Sequence, residues 1–374
     1  MEKLMFFAAT QLHRRYFSKI AAQEPSMSVC WFKSVKNAWP LMKYDKRLLV
    51  IVQQASRKTD NSRGRALPAG AAPLYRGALL LKSMWLYNSY YRFLSREDVA
   101  HSVVWNGLKH RQQLWCLCCE ELGIKVRYME NGLLPGHTTL DVRGVNYGNS
   151  LSRDPSFYRD YRVTHSGNQP DPKAIQSPTR PDKLPERFVL VPFQVNGDSQ
   201  IVCYSPWVKN MGHLAEILLA AQPAFKAAGL QLVVKPHPKC STPNANVLQL
   251  LQEQGVTVIT DIDSKTLVDH SQAVLTINST VGIEALAAGK KLIVVGQAFY
   301  RMPGMTLGAD NLDELNRAIG QLTDWTPDAD AISGLFAYLR QEYQITGDWR
   351  AAEPAHVQGI IKRLHRFNGE TPWQ

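Results

Sequence analysis

From Phe188 onward the chain alternates short continuous apolar runs with helical segments, and no other feature restricts its fold so strongly. Phe188-Val-Leu-Val-Pro-Phe-Gln-Val195 reads as a buried strand, and a helix follows from about Trp207 to Ala228. Strand 231–235, helix 246–254, strand 256–260 and helix 264–270 come next. Strand 273–277, helix 280–288 and strand 291–295 continue the series. Apolar runs of this length, each separated by a helix, are the mark of a parallel sheet covered on both faces. The expected fold of this half is therefore a doubly wound α/β domain.

The first half is less regular but similar in kind. Leu4–Ala8, Met27–Trp31, Leu48–Val52, Ser102–Trp105 and Lys125–Tyr128 read as strands, with a helix over 109–122. Between the halves, His165–Glu186 carries five prolines among polar residues, which is linker composition. The expected division is residues 1–164 as an N-terminal α/β domain, 165–186 as a Pro-rich linker and 187–350 as a second α/β domain. Residues 351–374 form a terminal segment. Helical patterns run over 328–343 and 354–367, and the last helix is free to pack back on the first domain.

At 374 residues, with 45% apolar and 20% charged residues, the composition suits a globular enzyme of two domains. No run reaches the 18 or so apolar residues that a membrane span needs. Met1–Thr10 lacks a small-residue cleavage site and reads as a first strand, not a signal peptide. Cys116, Cys118 and Cys119 have no second cluster at zinc spacing, so no metal site is expected. Such thiols without a leader suggest a reducing cytoplasm. The formal charge is +11, with Arg57, Lys58, Arg63 and Arg65 crowded into one stretch. Nucleic acid, an anionic membrane surface, an anionic substrate or a merely solvated face would each account for that charge.

Ligands of open α/β sheets bind beyond the carboxyl ends of the strands, and the informative residues fall there. Strand 231–235 ends in Lys235-Pro-His237-Pro238, where two prolines stiffen the loop that presents the histidine. Strand 273–277 ends in Asn278-Ser279-Thr280-Val-Gly282-Ile-Glu284, a helix start with two hydroxyls and backbone N–H groups suited to an anion. Glu284 is positioned to reach a ribose. Strand 188–195 leads into Gln194-Val-Asn-Gly-Asp198-Ser-Gln200, a polar turn carrying an acid. In the first half, a stretch from Glu130 to Tyr158 has little helical or strand period and reads as an ordered active-site wall. Glu130, at a strand end, is its natural catalytic carboxylate. Neither a dinucleotide-binding glycine fingerprint nor a P-loop is present.

The ordered set Trp105-Asn106-Gly107, Glu130-Asn131-Gly132, Thr139-Leu-Asp141 with Gly144-Val-Asn146, Gln194 with Asp198-Ser-Gln200, His237-Pro238, and Ser279-Thr280 with Glu284-Ala-Leu carries a resemblance. The chain resembles the bacterial capsule polysaccharide biosynthesis family of β-Kdo glycosyltransferases, across roughly residues 100 to 295. That resemblance implies a GT-B architecture, with two Rossmann-like domains facing across a cleft. It also implies CMP-Kdo as donor substrate with no separate cofactor, and retention of anomeric configuration through a carboxylate nucleophile.

Carried over by position, Lys235, His237, Pro238, Asn278, Ser279 and Thr280 look like the cytidylate phosphate site, with Glu284 on the ribose. Asp198 takes the nucleophile's place and Glu130 that of the acid/base, or of a group that orients the acceptor hydroxyl. Their order is open to reversal, and Asp141 is a third candidate. Asn106, Asn131, Arg143, Asn146, Gln194 and Gln200 are the implied substrate contacts. Two-domain members of the family often have Glu-Asp-Gly where this chain has Glu130-Asn131-Gly132, which speaks against a second acid at that spot and favours the single-module branch. The implied partners are an anionic lipid-linked or glycan acceptor, the inner face of the cytoplasmic membrane as a peripheral contact, and capsule assembly proteins. Alternatives are a transferase with another donor, such as CMP-sialic acid or a UDP-sugar, and a noncatalytic nucleotide-binding capsule-assembly protein. A nucleic-acid binder is disfavoured, because no such motif accompanies the charge.

Overall fold

The computed structural model describes residues 2–37, 43–63, 67–68, 70–165, 179–238 and 244–369. In chain order its elements begin with β1 (Leu4–Ala8), α1 (Gln11–Ala21), β2 (Met27–Trp31), α2 (Arg47–Arg63), α3 (Ala71–Leu94) and β3 (His101–Trp105). They continue with α4 (His110–Glu121), β4 (Lys125–Asn131), β5 (His137–Asp141), α5 (Pro155–Thr164), β6 (Phe188–Pro192) and α6 (Ser199–Tyr204). Next come α7 (Met211–Ala227), β7 (Gln231–Lys235), α8 (Ala245–Glu253), β8 (Thr257–Val258), α9 (Ser264–His270) and β9 (Ala273–Thr276). The remainder are α10 (Val281–Ala287), β10 (Lys291–Val294), β11 (Leu307–Gly308), α11 (Leu312–Gln321), α12 (Ala329–Tyr338), β12 (Gln344–Thr346) and α13 (Pro354–Gly369).

The chain divides into two compact units, each built on a six-stranded sheet. Met1–Arg57, Leu67–Ser150 and Leu339–Gln374 make the first, and Lys58–Ala66 with Leu151–Tyr338 the second. In the first, the order is β12-β5-β4-β3-β1-β2. Period-2 alternation along β1 explains its two covered faces. Leu4, Phe6 and Ala8 pack with α1 and with Ile360, Leu364 and Phe367 of α13. Met5, Phe7 and Ala9 pack toward Leu48 of α2, Tyr87 and Tyr90 of α3, and Trp115 of α4. The C-terminal helix thus completes the core of the first unit. Strands β1 to β4 pair in parallel, whereas β5 pairs antiparallel with both β4 and β12. The β4–β5 connection is too short for a crossover and closes a hairpin instead.

The second sheet, β11-β10-β9-β6-β7-β8, is wholly parallel, and its edge strands β8 and β11 have two residues each. Val189, Val191, Leu232, Val234 and Leu275 of its central strands pack against α7 and α11.

Several expectations need correction. Leu48–Val52 is helical, not a strand: Leu48, Ile51 and Val52 are buried at helical spacing, while Leu49 and Val50 are 51% and 54% exposed. Asp45 accepts from the Arg47 backbone N–H at 2.7 Å just before that helix. The stretch from Glu130 to Tyr158, expected to be irregular, contains β5 and the start of α5. The first unit ends at Ser150, not 164, because α5 packs on α12 of the second unit. Tyr158 O lies where a Cβ on Gly334 would be, and Arg159 pairs with Asp328 at 2.6 Å. The second unit ends at Tyr338, in place of residue 350, where a π-helix (Leu339–Tyr343) follows α12, and Lys58–Ala66 of the first half also belongs to it. The expected linker 165–186 falls in the sequence range of the second unit, and its residues 166–178 lie outside the described residues. Arg57, Lys58 and Arg63 of the basic stretch are on α2; Arg65 lies outside the described residues.

Candidate functional site

In the second unit the chain runs β6, β7, β8 to one side and then returns to place β9 on the other side of β6. The gap between β6 and β9 is therefore the topological switch point, where ligands of such sheets bind. Gln194 follows β6 and Asn278 follows β9, and the two buried amides close the gap. Gln194 Nε2 donates to Asn278 Oδ1 at 3.1 Å, and the Asn278 backbone N–H donates to Gln194 Oε1 at 3.2 Å. Asn278 Nδ2 also donates to Gln200 O at 3.1 Å. Gln194 and Asn278, expected to touch substrate and phosphate, are thus braces that set the distance between two strand ends.

Asp198 caps α6. Its Oδ1 accepts from the Gln200 N–H at 2.9 Å, and the side chain stays half-exposed. A Cβ on Gly197 would collide with the Ser62 hydroxyl, and it would lie 3.6 Å from Lys58 O. That close approach brings the basic end of α2 against the Asp198 turn, and a larger residue at 197 would have to turn the Ser62 hydroxyl away.

At the end of β7, Lys235 Nζ donates to Ile262 O at 2.5 Å, so its ammonium braces the 260–262 loop. His237 is half-buried and Pro238 exposed. At the end of β9, Ser279 is half-exposed and Thr280 exposed. The expected free N–H groups at the start of α10 are largely used within the turn. Val281 N donates to Ser279 Oγ at 3.2 Å, Gly282 N to Ser279 O at 3.0 Å and Ile283 N to Thr280 O at 2.9 Å. The hydroxyls, not the backbone, are what this turn presents.

Gly282 is explained by Tyr300, whose hydroxyl would lie 2.6 Å from a Cβ there. That hydroxyl donates to Ser279 O at 2.6 Å, and burial pushes its pKa up. Tyr300 was not picked out from the sequence; Phe299-Tyr300 after β10 gives no signal beyond a pair of aromatics. Glu284 lies on an exposed face of α10, yet the protein around its carboxyl displaces enough water to raise its pKa above the ordinary value.

In the first unit the switch point lies between β1 and β3. β3 is followed by Asn106 and Gly107, both left-handed at φ 68° and 77°, with Tyr128 so close to Gly107 that a Cβ would meet its ring at 2.6 Å. Asn106 Nδ2 donates to Glu130 Oε2 at 2.5 Å, and Asn131 donates to Oε1 from both N and Nδ2 at 2.9 Å. Asn131 Oδ1 in turn accepts from Trp349 Nε1 at 2.8 Å. Glu130 is thus held by three N–H donors, and an aspartate at 131 would supply no side-chain donor. Asn106 and Asn131, expected as substrate contacts, orient the carboxylate. A Cβ on Gly132 would strike His137 O, so the glycine permits the hairpin.

Asp141 is removed from the catalytic candidates by its surroundings. It is fully buried and accepts from Arg143 N (2.6 Å), Gly144 N (3.0 Å), Ser150 N (2.9 Å), Ser150 Oγ (2.7 Å) and Tyr343 Oη (2.8 Å). It organises the 141–150 loop, leaving Arg143 exposed and Asn146 half-exposed in the left-handed region at φ 56°. His13, which no sequence signal singled out, stacks on Trp105 with ring centroids 5.1 Å apart. Burial, with help from Lys109, pushes its pKa down to about 4.

The fold, two Rossmann-like α/β units with the informative residues at the carboxyl edges of their sheets, is of the GT-B-like class. A solved structure of this class, Thermosulfurimonas dismutans KpsC, beta Kdo 2,7 transferase, superposes with a TM-score of 0.51 over 98% of this chain and 100% of that one, at 14% identity. Residues 161–349 match the family described as Capsule polysaccharide biosynthesis protein, and the chain belongs to that family. Protein FixF of Sinorhizobium fredii is 30% identical, over 69% of this chain and 63% of FixF. The capsule polysaccharide export protein KpsS of Escherichia coli is 27% identical, over 49% of this chain and 64% of KpsS. The chain spans less than two thirds of the length of either relative. Among the described residues no helix is long and apolar enough to cross a membrane.

Proposed function

We propose that the chain is a retaining β-Kdo transferase that moves Kdo from CMP-Kdo onto a glycan or glycolipid acceptor in capsule or surface polysaccharide biosynthesis. The observation that carries this reading is the gathering of Asp198, His237, Ser279 and Thr280 on the carboxyl ends of β6, β7 and β9, three adjacent parallel strands with the switch point among them. Membership of a capsule biosynthesis family and a fold shared with a β-Kdo transferase support it.

In this mechanism Asp198 attacks the anomeric carbon, the bond to the cytidylate phosphate breaks, and a Kdo–Asp198 ester forms. His237 and the Ser279 and Thr280 hydroxyls stabilise the departing phosphate, and Glu284 holds the ribose. The acceptor hydroxyl then attacks the ester-linked carbon, giving its proton to Glu130 and restoring the Asp198 carboxylate. Two inversions yield net retention. The reading also sets the acceptor at an anionic membrane surface. In support, α3 has no acidic residue and exposes Leu74 and Leu81 beside Arg76 and Lys82.

Thermal shift tests the donor assignment. Cytidine nucleotides at a hundred times their Kd should stabilise the protein by about 2.7 kcal/mol, and uridine nucleotides should not. Equal stabilisation by UMP or UDP would overturn the cytidylate assignment.

A further inference from the structure

The carboxyl edge of the first sheet carries a cluster of cations that takes no part in the transfer steps at Asp198 described above. The segments that follow β1, β2 and β3, three neighbouring parallel strands, bring Arg14 and Arg15 of α1, Lys33, Lys36, Lys109, and Arg111 of α4 to that edge. Residues 9–15, 32–37 and 106–111 contain no Asp or Glu. None of these cations forms an ion pair with another described residue. A merely solvated face intersperses both signs of charge, and this one does not.

Aromatic rings lie among the cations. Trp31 and Phe32, both half-exposed, meet edge to face with centroids 4.7 Å apart. Arg14 Cζ lies 5.7 Å and Lys33 Nζ 6.0 Å from the Trp31 ring, and Arg111 Cζ lies 4.4 Å from that of Phe32. At the β1/β3 switch point, His13 is only 6% exposed and its Nδ1 has no hydrogen-bond partner. The neighbouring strand β4 carries Glu130 next to its last residue, the carboxylate already fixed by Asn106 and Asn131.

We propose that this edge is a binding site for an anionic saccharide. The Trp31–Phe32 pair covers an apolar sugar face, and Arg14, Lys33, Lys109 and Arg111 take its carboxylate or phosphate. Under the transfer reading this saccharide is the acceptor, and only that clause rests on the reading. A flat lipid surface fits less well, because the two rings pack against each other and do not project.

Titration calorimetry on the whole chain without donor tests the site. The probes are an α2,8-linked sialic acid tetramer as the carboxylate sugar and glucose 6-phosphate as the phosphate sugar, with maltotetraose, tripolyphosphate and a single-stranded oligonucleotide alongside. At least one of the two anionic sugars should bind and quench tryptophan fluorescence, and the better of the two identifies the anion. Trp31→Ala and the double variant Arg14→Gln/Arg111→Gln should each weaken it by about tenfold or more. Both variants should keep the parent's melting temperature and CMP binding, which shows that they fold and reports separately on the donor reading. Binding of neither anionic sugar would overturn the proposal. So would equal binding of maltotetraose, tighter binding of tripolyphosphate or the oligonucleotide, or unchanged affinity in folded variants.

Discussion

Asp198 lies in a polar turn, Glu130 and Asp141 lie at strand ends, and only their neighbours separate their roles. Asp141 is surrounded by five donors and has no open face. Asp141→Ala should therefore destabilise the protein by at least about 3 kcal/mol in urea unfolding, since several buried donors lose a charged acceptor at once. Asp198→Asn should leave the urea midpoint unchanged, because asparagine caps a helix as well as aspartate does. Glu130 depends on the Asn131 amide, so Asn131→Asp would set a second carboxylate beside it. The acid limb of the transfer rate should then move to higher pH, because two adjacent carboxylates resist ionising together. A limb that stays in place would contradict the assignment of Glu130 to proton transfer.

His13 adds a pH dependence at the same scale. Its folded pKa of about 4 lies below the ordinary 6.5, so the unfolded chain takes up the proton first as pH falls. Its contribution is full above about 6.5 and is lost as pH drops from there toward 4. The melting temperature of His13→Phe should fall less than the parent's between pH 6.5 and 4.5; parallel curves would contradict this.

At the scale of elements, the alternating second half was legible because each buried strand is one unbroken apolar run and each helix carries a cap or a period. Helix α9 matches its expected span, Ser264–His270, where Asp263 accepts from the Thr266 N–H at 2.9 Å. Leu48–Val52 reads as a strand yet folds as a helix, because five apolar residues in a row do not distinguish a strand from a helix with two exposed leucine- or valine-type positions. β5 was missed because its neighbours are polar and it is buried only through a hairpin with β4 and a return of the chain at β12. The roles of Asn106, Asn131, Gln194 and Asn278 were likewise not legible. A motif shows that an amide is present but not that it faces the protein. Glycines are the most local test of this packing. Gly334→Ala would push a methyl into the Tyr158 backbone of α5, and should cost about 1–3 kcal/mol or more. Gly320→Ala, with open space around it, should cost nothing measurable by the same unfolding assay.

For the whole molecule, the sequence places the residues proposed to face the phosphate at strand ends, and the topology explains why those ends meet. β6, β7 and β9 are neighbours only because the chain reverses direction across β6. The division at 150/151 and 338/339 was not visible, since no proline-rich or charged segment marks either crossing. Those crossings are marked instead by one buried carboxylate oxygen, Asp141 Oδ2, which accepts from Ser150 just before the first and from Tyr343 just after the second.

Intact-protein mass spectrometry during incubation with CMP-Kdo generated in place tests the central claim most directly. The account predicts that the parent gains the mass of one Kdo residue, that peptide mapping puts it on Asp198, and that Asp198→Asn does not gain it. An adduct that survives in the folded Asp198→Asn variant, or that maps to another acid, would contradict the account.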